Sequence, residues 1–379
     1  MKILFDMRVL AKGGQTGVEE YTRLLFDEML KKDSRNNYAL FYNALRKVPL
    51  PEAWIKENNV SVIDTHIPNK LFELSERFLF WPKVDNWLKP DLVFSPHFNI
   101  LRLKPKTKRV IVFHDLSFFH YPEFFSPRKR FWHWEQDVQR QIEQATKIIA
   151  VSETTRTNIL ETFNIAPEKV QTIHSGVNPI YELLAKDNKE LGRFWTGKNL
   201  GDRFLLYVGT LEPRKNIPAV IETFNILKAR KEYNDLKLMI VGKPGWLCEE
   251  IFAAAKRSSV AKEIIFWGAA SANQLLYFYN LASVFIYPSF FEGFGFPPLE
   301  AQACGLPVIT SNNSSLKEIF SGSAKLIDPK NPNEIAEAAH QILSDSKLAN
   351  QLRKQGLENA KKFSWSKTAE KVLNLIESL

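Results

Sequence analysis

With 379 residues, 45% apolar and 25% charged, the chain has the composition of a water-soluble globular protein and the length for two cores rather than one. Its net charge of +9 is spread evenly, 26 basic and 21 acidic side chains in residues 1–180 against 25 and 21 in the rest. That excludes a basic nucleic-acid-binding arm and fits anionic small ligands or an anionic membrane surface, while two distant cysteines, Cys248 and Cys304, exclude a disulfide framework and read as buried thiols of a reducing compartment.

The N-terminus runs straight into KILFDMRVL, where Asp6 and Arg8 interrupt the apolar residues. There is no signal-peptide pattern and no run of 18 apolar residues, so a cytoplasmic protein is expected. Strand-like runs then alternate with helical patterns. Strands are predicted at 2–5, 38–42, 60–63, 92–94, 109–113, 148–151 and 170–173, and helices over 17–31 and 127–145. In the second of these helices Phe131, Trp134, Val138, Ile142 and Ala145 recur on one face, which predicts a core-facing stripe. Further strands are predicted at 204–208, 236–241, 264–266, 284–287, 308–310 and 325–327. Ile217, Val220, Ile221, Phe224 and Leu227 line one helix between them, and Ser271 with Gln274 forms a capping box before another.

This alternation predicts an α/β protein of parallel, doubly wound sheets. It breaks once, in a charged, glycine-containing stretch. The expected organisation is therefore a first domain over 1–180, a linker over 181–202, a second domain over 203–363 and a final helix over 364–379. Ligands of such sheets bind at the carboxyl ends of strands, so the site is expected in the cleft between the domains.

The most informative stretch is FFEGFGFPPLEAQACGLPVI, residues 290–309. Glu292 and Glu300 bracket Gly293-Phe294-Gly295, a loop that needs backbone freedom. Pro297 and Pro298 suit a helix start, which places Leu299 and Glu300 in its first turn, and Gly305 is a natural stop. Exposed N–H groups at such a place bind phosphate, and carboxylates beside them reach for hydroxyls, so the combination suggests a nucleotide sugar. Upstream, the strand ending at Gly209 runs into TLEPRKNIP, where Arg214 and Lys215 are placed to meet a diphosphate; read alone they are a pair of surface cations at a turn, and it is the second phosphate-type loop in the same half that favours the diphosphate.

His114 and Asp115 follow the strand RVIVF, His97 follows another strand end, and His120 reads as loop packing. The glycine loop Gly13-Gly14-Gln15-Thr16-Gly17 after the first strand is not a dinucleotide fingerprint. The histidines have no metal-ligand spacing and there is no Asp-x-Asp triplet, so neither a metal nor another cofactor is expected. RLKPKTKR (102–109), RKRFWHW (128–134) and FLFWPKVDNWL (78–88) mix cations and aromatics as a peripheral membrane face does; they read equally as a solvated loop and two core-packing helices.

The string PSFFEGFGFPPLEAQACGLPVITSN resembles the signature of retaining glycosyltransferases of group 1 (family four), whose two glutamates are separated by seven residues, as Glu292 and Glu300 are. VGTLEPRKN, VFHDLSFFHYPEFF, VSETTRTNI, HSGVN and FSW resemble further family segments in the same order, so the likeness spans nearly the whole chain. The resemblance implies the GT-B fold, two Rossmann-like domains facing across a cleft with the last helix crossing back to the first. It implies Glu300 on the donor ribose, Glu292 on the transferred sugar, Gly293, Phe294, Gly295, Leu299 and Gly209 around the donor, and Arg214 and Lys215 on the leaving diphosphate. His114, with Asp115, would line the reaction centre, and Gly14, Thr16 and Gly17 would form the acceptor and diphosphate loop. Thr210 stands where many members place an arginine, with Arg214 the candidate replacement. The expected reaction is metal-independent retaining transfer, with mannose from GDP-mannose the leading donor and a saccharide or polyprenyl-linked saccharide of a surface polysaccharide the acceptor, at or near the inner face of the cytoplasmic membrane. A non-catalytic GT-B partner subunit and a nucleotide-sugar epimerase of the same fold are the alternatives.

Overall fold

The computed structural model describes residues 1–13, 16–46, 48–185, 187–198 and 203–379. Contacts divide the chain into two compact units: Met1–His120, Pro127–Gly176 and Ser364–Leu379 form unit 1, and Tyr121–Ser126 and Val177–Phe363 form unit 2. Among the described residues every strand pairing in both units is parallel.

In unit 1 the strands are β1 (Lys2–Asp6), β2 (Asn37–Asn43), β3 (Val60–Thr65), β4 (Leu92–Ser95), β5 (Lys108–Phe113), β6 (Lys147–Ala150) and β7 (Val170–Thr172). They lie in the order β3-β2-β1-β4-β5-β6-β7, so the sheet is wound in both directions from the β1/β4 pair. Unit 2 repeats the plan with β8 (Arg203–Val208), β9 (Leu236–Val241), β10 (Ile264–Gly268), β11 (Val284–Tyr287), β12 (Val308–Ser311) and β13 (Lys325–Ile327), in the order β10-β9-β8-β11-β12-β13. All thirteen predicted strands are present. The central strands are continuous apolar runs such as LVF in β4 and VFIY in β11, fully buried because helices cover both faces, whereas the edge strands β3, β7, β10 and β13 are partly exposed. A parallel sheet of this kind opens its ligand site where the strand order reverses. In unit 1 that point carries the loops after β1 and β4, and in unit 2 those after β8 and β11.

Four features differ from the expectation. The helix predicted over 127–145 is two helices, Pro127–Glu135 and Val138–Gln144, broken at Asp137 (φ 50°). Asp137 leaves the helical region with its carboxylate taken by Arg77 (2.6 Å) and Arg102 (2.7 Å). The first half buries no residue, and Phe131 and Trp134 are 56% and 55% exposed. The stretch expected as a linker carries a helix, Lys189–Lys198, and lies within unit 2. Tyr121–Ser126, from the first half of the chain, also lies with unit 2: Phe124 stacks on Phe290 (5.5 Å), Phe125 on Trp246 (5.8 Å), and Trp246 Nε1 donates to the Phe124 carbonyl (2.6 Å). Finally, of the five cations in residues 102–109, Arg102 and Arg109 are buried structural groups.

The last helix, Trp365–Glu377, packs in unit 1 on the helix Gly17–Lys32, with the Trp365 ring edge-on to Tyr21 at 5.3 Å. In unit 2 the ends of β8 and β9 approach so closely that a Cβ on Gly242 would stand 1.8 Å from the Gly209 carbonyl. Gly242→Ala is therefore expected to destabilise unit 2 by about 3 kcal/mol, the upper range for overpacking, and to displace Gly209. A melting temperature within a degree of wild type would contradict this close approach.

Candidate functional site

In unit 2 the chain leaves β8 at Gly209 and turns through Pro213–Lys215 before the helix Ile217–Lys228; it leaves β11 into Ser289–Gly295 before the helix Phe296–Ala303. These two loops are stitched together. The Phe290 N–H donates to the Arg214 carbonyl (2.9 Å), which also accepts from Ser289 Oγ (3.1 Å). Between them sits the Glu292 carboxylate, 7% exposed. Its Oε1 accepts from Lys215 Nζ (2.6 Å), Ser289 Oγ (2.7 Å) and Tyr287 Oη (3.1 Å), and its Oε2 faces Arg214 Nη1 at 2.9 Å. Burial works to raise the Glu292 pKa, but Arg214 and Lys215 outweigh it and hold the group at about 2. Burial lowers the Lys215 pKa against the pull of Glu292. Arg214 is shared with a second buried carboxylate, Glu212, at 2.9 Å. The two cations expected on a diphosphate thus face two carboxylates, and the cluster of four is formally neutral.

Glu300 lies in the second turn of its helix, not the first, because the helix begins at Phe296. Pro297 and Pro298 fill the second and third positions, where no intrahelical N–H bond is lost. Glu300 is 5% exposed and its Oε2 accepts from Tyr279 Oη at 2.7 Å. Gly295 holds a left-handed φ of 99° at the helix N-cap, and a Cβ there would stand 2.8 Å from Leu316. Phe294 turns inward against Phe296 and Phe363, and Leu299 is fully buried, so these two side chains build the loop's floor. Gly293 is buried beside them. Beneath the loop, Ser314 Oγ accepts from the Glu292 N–H (3.1 Å) and Ser315 Oγ donates to the Glu292 carbonyl (2.8 Å).

In unit 1 His114 follows β5. Its Nε2 lies 2.8 Å from the Pro96 carbonyl, and its ring meets the Tyr21 ring edge-on at 4.8 Å. A carbonyl only accepts, so Nε2 carries hydrogen and Nδ1 of the neutral ring is an acceptor. Burial lowers the His114 pKa, opposed by the Pro96 bond and then by Asp115, which favours that neutral ring. Asp115 itself caps the next turn, its Oδ1 accepting from the Ser117 N–H (2.9 Å) and Oγ (2.6 Å). Thr16 caps the helix Gly17–Lys32 in a reciprocal capping box with Glu19, and Gly17 is that helix's first residue; Gly14 lies outside the described residues. His97 is buried in the loop after β4, with its Nδ1 accepting from the Asn99 N–H at 3.1 Å.

The structure thus brings Arg214, Lys215 and Glu292 together, with Gly209 at the end of the adjacent β8. Sequence reading missed Glu212, Tyr279, Tyr287, Ser289, Ser314 and Ser315, the groups that hold the two glutamates. Tyr279 lies within the helix Ala272–Leu281 and carried no such signal; the others were legible only as polar residues at or just beyond the carboxyl ends of predicted strands.

Two doubly wound parallel sheets, each with its polar groups at the strand-order reversal, make the GT-B architecture, and comparison with known proteins agrees. Residues 188–359 match the family described as Glycosyl transferases group 1, and residues 16–180 match Glycosyltransferase Family 4. The chain belongs to the group 1 glycosyl transferases. It is 28% identical to O-antigen chain mannosyltransferase B of Escherichia coli over the full length of both chains, and 26% identical to O-antigen chain mannosyltransferase RfbU of Salmonella typhimurium, over 80% of this chain and 84% of that one. It also matches the serotype-specific mannosyltransferase WbdA of E. coli, 28% identical over 69% of this chain, which amounts to 32% of WbdA. Among solved structures, sucrose-phosphate synthase from Thermosynechococcus elongatus aligns with a TM-score of 0.76 at 20% identity, over 100% of this chain and 98% of that one. The lipopolysaccharide-biosynthesis glycosyltransferase WaaG aligns at 0.73 and 16%, over 99% of both.

Glu292 provides a test of the buried cluster. Its folded-state pKa lies below the ordinary 4.5, at about 2, so its contribution to stability is complete above pH 4.5 and is lost as pH falls toward 2. Glu292→Gln is expected to lower stability at pH 7 by about 3 kcal/mol, because it leaves buried cations without their anion. It should also flatten the fall in stability below pH 4.5. Parallel wild-type and variant stability curves from pH 6 to 3 would contradict the pairing.

Proposed function

We propose that this glycosyltransferase moves a sugar, mannose from GDP-mannose, with retention and without a metal, onto a saccharide or polyprenyl-linked saccharide in surface polysaccharide assembly. The choice of sugar and pathway is supported by the relatives named as O-antigen mannosyltransferases. The observation that carries the mechanism is the state of Glu292. A carboxylate buried between Arg214 and Lys215 with a pKa of about 2 is a weak base and has its oxygens committed, so it is poorly suited to act as a covalent nucleophile or general base. That favours departure and attack on the same face of the sugar, with the leaving phosphate taking the acceptor's proton. The chain's part is then position and field.

In this reading Glu300 accepts from the donor ribose hydroxyls, with Tyr279 fixing its second oxygen. The N–H groups of the Gly293–Gly295 loop turn toward the diphosphate, and Arg214 and Lys215 contribute through whatever share of their charge the two carboxylates leave. His114, with an accepting Nδ1, takes a hydrogen bond from a sugar hydroxyl.

We extend the reading to where the enzyme works. Phe78, Leu79, Trp81, Phe131 and Trp134 are each more than half exposed in unit 1. Although fifty residues separate them in sequence, Arg77 lies over the Trp134 ring (4.8 Å), Phe131 and Trp134 pack at 5.7 Å, and Arg140 lies over Phe80 (4.7 Å). With exposed Arg128, Lys129 and Arg130 alongside, this face has the aromatic and cationic character that suits the headgroup level of an anionic bilayer. No helix among the described residues is long and apolar enough to cross a membrane.

Two experiments test these statements. In a thermal-shift screen against GDP, UDP, ADP and dTDP with and without EDTA, GDP alone is expected to stabilise, metal or no metal, by roughly 2.7 kcal/mol at 100 times its Kd. Glu300→Ala should weaken that binding by about 1.5–3 kcal/mol, as for a hydrogen bond to a charged group. Stabilisation by another nucleotide, or only with metal, would overturn the donor or the metal independence. In flotation assays the protein is expected to rise with phosphatidylglycerol vesicles and not with phosphatidylcholine vesicles, and Trp81→Ala with Phe131→Ala should abolish it. Flotation unaffected by the double substitution would reject this face.

A further inference from the structure

At the strand-order reversal of unit 1 lies a buried ionic cluster that the reaction as described does not use. Asp6, at the end of β1, is fully buried and takes Arg8 in a two-point pair, Nε to Oδ1 at 2.9 Å and Nη2 to Oδ2 at 2.7 Å. The guanidinium lies against the packed rings of Phe41 (5.4 Å) and Phe72 (5.2 Å), with Glu76 Oε2 3.6 Å away and His97 Nε2 3.7 Å from Asp6. Taking such a pair out of water is costly, and an apolar pair of equal volume would serve stability as well. Its contacts show what it holds in place.

Those contacts converge on the end of β4 and the loop after it, residues 95–101. Arg8 Nη2 donates to the Ile100 carbonyl (3.0 Å) and reaches the Asn99 carbonyl (3.5 Å). Gln141 Nε2 donates to the Phe98 carbonyl (2.7 Å), and Gln136 Oε1 accepts from the Ile100 N–H (2.8 Å). Arg109 Nε donates to Ser95 Oγ (3.1 Å) and its Nη1 to the Leu101 carbonyl (3.4 Å). Arg8, Arg109, Gln136 and Gln141 are all nearly inaccessible to solvent. Four buried side chains restrain this loop to the conformation seen. In that conformation the Pro96 carbonyl, which none of the four takes, points at His114 Nε2.

We infer that the Asp6–Arg8 pair is a positioning device: by fixing the 95–101 loop it holds the Pro96 carbonyl where it locks the His114 ring with hydrogen on Nε2 and the lone pair on Nδ1. Arg8 and Asp6 act through the loop and touch no substrate. The catalytic consequence rests on the reading of His114 as a hydrogen-bond acceptor for a sugar hydroxyl; the tautomer claim does not. Orientation of a ring by its second nitrogen is a general route to a defined acceptor, and misplacing it by an ångström is worth up to about 100-fold in rate.

The test uses the full chain labelled with 15N-histidine, the His114 signals being assigned by loss in His114→Ala. Wild type is expected to show a single tautomer, protonated at Nε2. Arg8→Met should give a mixture of tautomers and a transfer kcat reduced by about 10- to 100-fold, with donor KM within about twofold, and Arg8→Lys should recover part of both. Should Arg8→Met fail to fold, Gln141→Met releases the same loop at Phe98 without stranding a buried charge, and the same two changes are expected. A folded variant of either kind that keeps the wild-type His114 tautomer overturns the proposal. Unimpaired transfer by His114→Ala would instead overturn the role given to His114, and the tautomer spectra alone would then decide whether Arg8 positions the ring.

Discussion

The carboxylate of Glu292 is the contact on which unit 2's polar end depends. Burying two carboxylates, one ammonium and one guanidinium is tolerable only if the charges are paired and hydrogen-bonded. The surrounding chain is arranged to that end: Tyr287 Oη and Ser289 Oγ share Oε1 with Lys215, Arg214 takes Oε2, and two serines secure the Glu292 backbone. The consequence is mechanical as well as electrostatic. The loop after β8 cannot shift without unpairing Arg214 and Lys215, and the loop after β11 cannot shift without unpairing Glu292. The glycines between Glu292 and the helix Phe296–Ala303 then present their backbone from a fixed frame.

How much of this was legible in sequence follows from the range of each interaction. The central strands were readable because a parallel sheet covered on both faces writes itself as short unbroken apolar runs. The two glutamates, their glycines and the cations after β8 were readable as groups at the ends of such runs. Their pairing was not, because Lys215 and Glu292 stand 77 residues apart and nothing in either segment names the other. The helix of 127–145 shows the reverse error. A periodic stripe promised a core face, but the long-range pairing of Asp137 with Arg77 and Arg102 bends the chain into a left-handed residue and turns Phe131 and Trp134 outward. Periodicity reports a face; it does not report what lies opposite. The Asp6–Arg8 pair was met only as an interruption of an apolar run, since the loop it grips is some ninety residues away.

The two units place different chemistry at equivalent points of equivalent sheets. At the reversal in unit 2 stand charges that neutralise one another; at the reversal in unit 1 an ion pair is buried behind a neutral imidazole with one open acceptor. Each of four carboxylates among the described site residues already has a partner: Glu292 is paired with cations, Glu300 with Tyr279 on one oxygen, Asp115 with Ser117 in a turn and Asp6 with Arg8. This is the setting in which the proposed mechanism takes its base from the substrate, the leaving phosphate.

If, as proposed, Arg214 and Lys215 meet the leaving diphosphate, the neutrality of the Glu212–Arg214–Lys215–Glu292 cluster bears on turnover as well as binding. Two unopposed buried cations would hold a nucleoside diphosphate as firmly after the sugar has left as before, and binding shared equally by donor and product raises no rate. Cations already met by carboxylates cost less to bury, and they offer an incoming phosphate only the difference between its pull and that of Glu292 and Glu212. Charge that grows on the phosphate as the sugar departs tips that balance, because the attraction of Arg214 and Lys215 for phosphate rises while their attraction for the fixed carboxylates does not. Stabilisation is then greatest where charge is developing, which is the condition for an electrostatic contribution to catalysis, and the carboxylates stand ready to reclaim both cations when the product leaves.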